Sequence, residues 1–293
     1  MSEQTSSPEN TIAFQGLPGA YSHLACKRAK PDMEPLACRT FQDAFDAVSG
    51  GKAQLAMIPI DNSVAGRVAD IHHLLPDSGL HIVGEHYERV NHHLLAVKGT
   101  KIEDVTHVHS HVHALSQCRI LLQELKIDPV VHVDTAGAAA EIAENGVGSQ
   151  GAIASSLAGE IYGLDSLKAN IEDADHNTTR FVIMASHPVH ISPDVQPHEV
   201  ITSFVFRVKN IPASLYKAMG GFATNGINMT KLESYVDGDF VAAQFYADVE
   251  GHPEHRAMQL AFEELHFFTH EIHILGTYPS HDFRKAIYEK NGK

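Results

Sequence analysis

Four times in its first 145 residues the chain passes from a short apolar run, through a small polar turn, into a stretch of helical spacing. Thr11-Ile-Ala-Phe-Gln15 leads through Gly16-Leu-Pro-Gly19-Ala-Tyr-Ser22 into His23–Arg28, and Gln54–Ile60 leads through Asp61–Gly66 into a helix through Val68–Leu75. Val105–His109 leads through Ser110-His111 into the helical Ala114–Leu125, and Pro129–Val133 leads through Asp134–Gly137 into Ala138–Ala143. Strands joined by helix-length crossovers build parallel sheets, and ligands of such sheets sit outside the carboxyl ends of the strands. Each junction carries a hydroxyl, from Ser22, Ser63, Ser110 and Thr135. Each of these alone is either a helix N-cap or a ligand contact, and together they are candidates for one pocket. The glycine turn is either a plain tight turn or an anion cradle at a helix start; it lacks the Gly-x-Gly opening of a dinucleotide fingerprint.

A denser polar stretch follows. Asp173-Ala-Asp-His-Asn177-Thr-Thr-Arg180-Phe-Val-Ile-Met184 sets acids, an amide, two hydroxyls and a guanidinium at the mouth of a buried strand. Between residues 127 and 206 the only cations are Lys168 and Arg180. Arg180 therefore stands outside any solvated charge field and calls for an anion.

A length of 293 residues implies two or more domains, and the net charge of −14 excludes nucleic acid and anionic membrane as partners. The polar residues 1–10 carry no secretory signal, and no apolar run reaches membrane-spanning length. Cys26, Cys38 and Cys118 form no Cys-x-x-Cys pair and fit reduced thiols of a cytoplasmic protein. His107, His109, His111 and His113 alternate as metal ligands on one strand face would. Alternate positions lie roughly 6–7 Å apart, however, and the Ser110 junction ends the strand before His113.

Asn177-Thr-Thr-Arg-Phe181 resembles the Asn-x-Thr-Arg-Phe signature of prephenate dehydratases. Gly16-x-x-Gly19-x-x-Ser22, Pro59-Ile-Asp-Asn-Ser63, Ser110-His111 and Thr135-Ala136 resemble that family's further motifs in the same order, over residues 11–184. Departures stand at Ala20, Asp61, Ala65 and Val112-His113. After a proline-rich run the pattern changes to strand 200–208, helix 213–223, strand 227–236, an Asp237-Gly238 turn, strand 240–249, helix 255–265 and strand 271–275. This βαββαβ order is ferredoxin-like. Asn225–Ser234 and Leu275-Gly-Thr-Tyr-Pro279 make it similar to the amino-acid-sensing ACT domain that follows the catalytic region in this family. Ala213-Ser214-Leu215 stands where the family has Gly-Ala-Leu, and Tyr235-Val236 where it has Arg-Pro.

The resemblance implies an α/β catalytic region over 10–186, two-lobed like type 2 periplasmic binding proteins, with lobe one about 10–86 and 177–186 and lobe two about 87–176. A linker over 187–198, an ACT regulatory domain over 199–280 and a tail over 281–293 complete the chain. The implied activity is that of a carbon–oxygen lyase converting prephenate to phenylpyruvate in L-phenylalanine biosynthesis, with neither cofactor nor metal. The alternatives are an arogenate dehydratase or a non-catalytic, amino-acid-responsive binding protein. Carried over onto matching positions, the catalytic residues are Thr179, Arg180, Ser63 and Asn62, and the substrate contacts are Ser22, Ser110, His111, Thr135, Ala136, Asn177 and Phe181. L-Phenylalanine is the implied effector at Pro212, Ala213, Leu215, Asn225, Asn228, Glu233 and Ser234, in a cytoplasmic homodimer or homotetramer.

Overall fold

The structure, a computed structural model, describes residues 7–236 and 242–290. The expected Asp237-Gly238 turn lies outside the described residues, as do residues 1–6 of the polar N-terminal stretch. The first strands are β1 (Thr11–Gln15), β2 (Glu34–Cys38), β3 (Leu55–Asn62), β4 (Gly66–Arg67) and β5 (His81–Arg89). Next come β6 (His93–Ala96), β7 (His107–Ser110), β8 (Asp128–Val131), β9 (Gln150–Ala154), β10 (Asp165–Ala169) and β11 (Thr178–Ala185). The last four are β12 (Val200–Val208), β13 (Met229–Val236), β14 (Ala242–Glu250) and β15 (Thr269–Pro279). Helices α1 (Tyr21–Ala29), α2 (Phe41–Ser49), α3 (Ala69–Leu74), α4 (Val112–Ser116) and α5 (Arg119–Leu125) precede α6 (Thr135–Asn145) and α7 (Ser156–Tyr162). Helices α8 (Ser214–Thr224), α9 (Arg256–Phe268) and α10 (Asp282–Lys290) follow.

Three sheets result. The first has the order β2-β1-β3-β11-β5 with β4 paired to β3, the second β10-β6-β9-β7-β8, and the third β13-β14-β12-β15. As the strand–helix alternation requires, β1 runs parallel to β2 and β3, and β7 runs parallel to β8 and β9. Strand β6 is antiparallel to both neighbours, β9 and β10. The first two sheets make the two-lobed, type 2 periplasmic-binding-protein-like region, and the third has the ferredoxin-like order. The chain divides into one compact unit of Met1–Val68 with His86–Phe181 and another of Ala69–Glu85 with Val182–Lys293. The division falls inside β5 and β11.

One expected junction is built differently. A helix was expected directly after Asp61–Gly66, but β3 turns back through a hairpin onto β4 before α3 begins. The cause is local. The Asn62 side-chain Oδ1 accepts from the N–H groups of Val64 and Ala65 at 3.0 and 2.7 Å, and Gly66 takes φ +83°, which together close the turn before a helix can nucleate.

In the second unit, Phe204, Phe206, Phe222, Phe245, Met258 and Leu265 form the core between the sheet and α8 and α9. Ala213, just before α8, holds φ +62°, the left-handed conformation for which glycine is the ordinary residue. Within the stretch expected as a C-terminal tail lies α10, which is clasped by charge. Arg284 Nε and Nη2 reach Glu85 Oε1 and Oε2 at 2.7 and 3.1 Å, and the N–H of His281 donates to Glu85 Oε1 at 3.2 Å. Arg284 Nη2 also lies 3.7 Å from Asp248 Oδ2, and the side chains of Glu85 and Asp248 are fully buried. Asp248 in turn accepts from Tyr246 and Ser203, and Ser203 bonds Tyr278. Replacing the arginine removes a counter-charge that two buried carboxylates share. Arg284→Met is expected to lower stability by about 3–5 kcal/mol in urea titration, whereas Glu85→Gln combined with Arg284→Met recovers part of the loss.

Candidate active site

The glycine loop, its cavity and the hydrogen bonds around Thr179 all lie within the first unit. Gly16 and Gly19 take φ +122° and +92°, and a Cβ on Gly19 would lie 2.8 Å from the Ala158 Cα, so the turn admits only glycine there. Helix α7 holds the loop's carbonyls: Ser155 Oγ donates to Gly19 O at 2.6 Å and the Tyr162 hydroxyl to Pro18 O at 2.8 Å. Beneath the loop is a cavity of about 490 Å³ lined by Gln15–Leu17, Ala20–Ser22, Ala37–Arg39 and Val133–Thr135. The first turns of α1 and α6 open onto it, bringing Ser22 and Thr135 together as expected, with Arg39 on its wall. Unpaired N–H groups at two helix starts, two hydroxyls and a guanidinium make this cavity receptive to an anion. Asp134 also lines it, with its Oδ1 engaged in capping α6 through the N–H of Gly137 at 2.6 Å.

The other two junction hydroxyls serve the backbone. Ser63 Oγ donates to His176 O at 2.7 Å and accepts from the N–H of Thr178 at 2.9 Å, which stitches the hairpin turn to the entry of β11. Ser110 is fully buried, and its Oγ donates to Ile153 O at 2.6 Å. His111 is the N-cap of α4, its Nδ1 accepting from the N–H of His113 at 3.3 Å. Ala136 and Phe181 are core residues. The alternating histidines separate as the junction predicts, β7 ending at Ser110 and α4 starting at Val112. Among the described residues no group of three or more His, Cys, Asp or Glu side chains is arranged to hold a metal ion.

Next to that stitch lies an amide ladder. Asn62 Nδ2 donates to Asn177 Oδ1 at 2.8 Å and to Thr179 Oγ1 at 2.9 Å. Asn177, 1% exposed, donates through Nδ2 to Gln117 Oε1 at 2.8 Å. Gln117 Oε1 also lies 2.9 Å from His92 Nε2, and His92 Nδ1 lies 2.8 Å from the Tyr21 hydroxyl. Tyr21 lines the cavity, so the ladder runs from the cavity wall to Thr179. Arg180 is buried, with a nitrogen 3.7 Å from Asp61 Oδ2, so the protein itself supplies an anion for it. Neighbours on one strand face opposite ways, which puts Thr179 with Asn62 on one side of the sheet and Arg180 with Asp61 on the other.

The family model described as prephenate dehydratase matches residues 12–189. The chain belongs to the prephenate dehydratase family. It is 50% identical, over 94% of its own length and 98% of the relative's, to a bifunctional N-acyl-homoserine lactone acylase/prephenate dehydratase of Komagataeibacter europaeus. It is 41% identical to a chloroplastic arogenate dehydratase/prephenate dehydratase of Arabidopsis thaliana, over 92% of this chain and 71% of the relative. Among solved structures, the prephenate dehydratase of Arthrobacter aurescens in complex with L-Phe superposes with a TM-score of 0.83 at 25% identity, covering 96% and 97% of the two chains.

Within this member of the prephenate dehydratase family, sequence reading missed Arg39, Tyr21, His92 and Gln117. Gln117 carried a faint signal, being a polar residue set among the buried Ala114, Leu115, Cys118, Leu121 and Leu122. In the second unit, Asn225 and Asn228 line a cavity of about 320 Å³ with Gly226, Ile227, Glu250 and Met258. Pro212, Ala213, Leu215, Glu233 and Ser234 are not part of that lining. Glu233 pairs with Lys231 at 3.5 Å, and Tyr235 packs its ring edge-on to His73.

The ladder has a direct test in stability. Asn62→Asp at neutral pH faces a carboxylate oxygen towards Asn177 Oδ1 and the N–H groups of Val64 and Ala65 keep it there, so the donor to Asn177 is lost. A drop of about 1–3 kcal/mol in unfolding free energy is expected, and an unchanged urea midpoint would show the ladder to be unimportant to the fold.

Proposed function

We propose that this protein is a prephenate dehydratase, a hydro-lyase that releases carbon dioxide and water from prephenate to give phenylpyruvate. The observation that carries this reading is the state of Thr179. Its Oγ1 accepts from Asn62, so its own proton points away from the ladder and is available to a substrate. In the reaction the bond to the ring carboxylate breaks, its electron pair enters the ring, and the ring hydroxyl leaves with a proton as water. Aromatisation drives the step, so what the site supplies is a donor at the leaving hydroxyl and fixed partners for two carboxylates. Thr179 is that donor. Ser22, Thr135, Arg39 and the helix-start N–H groups of the cavity hold carboxylate. Arg180, with Asp61, fixes β11 against β3, and Asn62, Ser63, Asn177, Ser110, His111, Ala136 and Phe181 shape the site around the substrate. A threonine hydroxyl is a weak acid, so orientation and preformed electrostatics provide most of the acceleration.

Two further substrates are favoured by the relatives. Plant relatives named as arogenate dehydratases suggest the aminated analogue of prephenate, and the 50% identical Komagataeibacter europaeus protein suggests an N-acyl-homoserine lactone. Prephenate, arogenate and an acyl-homoserine lactone are to be offered separately to the purified protein. Prephenate turnover, read by phenylpyruvate absorbance, is expected to fall at least about 10²-fold in Thr179→Ala with folding intact. Absence of prephenate turnover in the wild type, or its persistence in Thr179→Ala, rejects the assignment.

The domain layout, with a regulatory module over 199–280, the cytoplasmic setting and a homo-oligomeric state belong to the same proposal. L-Phenylalanine is its effector, with Asn225 and Asn228 at the second unit's cavity. If phenylalanine weakens prephenate binding, prephenate weakens phenylalanine binding by the same factor. Calorimetric titration of the full chain with phenylalanine is expected to show binding that a substrate analogue weakens; no binding would remove regulation from the proposal.

A further inference from the structure

The amide ladder has a direction, which can be worked out atom by atom. Asn62 Oδ1 accepts two backbone N–H groups, from Val64 and Ala65, so that end of the carboxamide is the oxygen and the end facing Asn177 and Thr179 is the nitrogen. The Asn177 atom that meets it at 2.8 Å is therefore its oxygen, which turns the Asn177 nitrogen to Gln117 at 2.8 Å. Gln117 must answer with its oxygen. That oxygen only accepts, so His92 Nε2, 2.9 Å away, carries a proton. Burial holds the His92 imidazole below its ordinary pKa, so it is neutral and has one proton to give. Its Nδ1 is then bare, and the Tyr21 hydroxyl, which has the Asn91 carbonyl at 2.9 Å as a second acceptor, gives its proton to that nitrogen at 2.8 Å. Burial also pushes the Tyr21 phenol up, so that proton is retained. Glu172 fixes the segment from outside, accepting from the N–H of His92 at 2.8 Å and from Asn91 Nδ2 at 3.3 Å.

We propose that His92, held as its Nε2–H tautomer by Tyr21, is a positioning residue for the dehydratase reaction: it pins the amide ladder from the end opposite the hairpin turn and so steadies the seat of Thr179. The inference rests on the reading of Thr179 given above. Two interior carboxamides, those of Asn177 and Gln117, are held from both ends. The hairpin N–H groups fix one end, and the His92 N–H fixes the other. When the His92 N–H is lost, Gln117 Oε1 keeps only the Asn177 donor and its carboxamide is held from one end alone. Asn177 is then less firmly seated, and it steadies Asn62 and Thr179 less well. His92 and Gln117 do not line the cavity, and Tyr21 keeps the Asn91 carbonyl as an acceptor when His92 is replaced, so the effect belongs in turnover and not in substrate affinity.

Two readouts test this. Long-range imidazole 15N NMR on the full chain, with the His92 signal identified by its absence in His92→Gln, is expected to show the neutral Nε2–H form at pH 7. An Nδ1–H form or an imidazolium overturns the inference, whatever the protein does to prephenate. The kinetic arm uses side chains that differ in one donor. A glutamine can place a carboxamide nitrogen near the position of Nε2, an asparagine reaches only that of Nδ1, and a leucine offers neither. His92→Leu and His92→Asn are expected to lower kcat for prephenate at least about tenfold with KM within about threefold, while His92→Gln restores most of kcat. A purely structural histidine would give equal losses in all three variants, tracking their melting temperatures, and that result overturns the inference, as does full activity in His92→Leu. Failure of the wild type to turn over prephenate would sink the assignment of function and leave the NMR result to decide the tautomer.

Discussion

The first sheet is not finished until the second has been built. Strand β11 returns to lie between β3 and β5 after residues 93–169 have formed a sheet of their own, and this return joins Asn62 to Thr179 across 117 residues of sequence. Everything at the site hangs on that insertion. It places Asp61 opposite Arg180, Ser63 against His176 and Thr178, and Asn177 where it can reach both Asn62 and Gln117. The side-chain hydrogen bonds cost little to form because the strand already fixes their backbones; an unfixed loop would have to lose about 1–2 kcal/mol of conformational entropy per residue to hold them.

Periodicity and punctuation made the elements legible. Alternating apolar runs and helical spacing gave parallel strands β1, β3, β7 and β8, because a crossover helix leaves few other choices. The order of the third sheet followed from six elements of plain pattern. The hairpin at β4 was not legible, since its cause is a side chain of Asn62 folding back on two backbone N–H groups, a local choice that competes with helix initiation at no visible cost in sequence. Helix α10, within the stretch expected as a tail, was not legible for a related reason. Its polarity is satisfied by Glu85, which lies 199 residues earlier, and no window of sequence contains both.

The site was half legible. Ser22 and Thr135 meet because helix starts gather at the carboxyl ends of parallel strands, a rule that needs no coordinates. Ser63 and Ser110 obey the same rule in sequence but spend their hydroxyls on backbone carbonyls, and only the structure distinguishes a hydroxyl that faces a cavity from one that faces a strand. Tyr21, His92 and Gln117 escaped notice because each is ordinary in its own segment; they acquire a role only when a helix start and two connecting segments come within hydrogen-bond reach. Ala213 is the reverse case. The place where this chain departs from a family glycine is a position of φ +62°, so the departure is visible in sequence and its strain only in the backbone.

The clasp of Glu85 by Arg284 has a bearing on how the protein is made. At ribosomal rates of about 5–20 residues per second, the acid emerges roughly 10–40 s before its counter-charge. The nascent chain must keep that carboxylate hydrated meanwhile, so the N-terminal half of β5 cannot settle into its final burial during synthesis. Cutting the chain in the proline-rich segment before residue 198 would likewise deliver a C-terminal piece whose Arg284 and Asp248 have lost the third member of their charge cluster. The last helix thus ties the end of the chain to its first third, and the two ends of the sequence mature together.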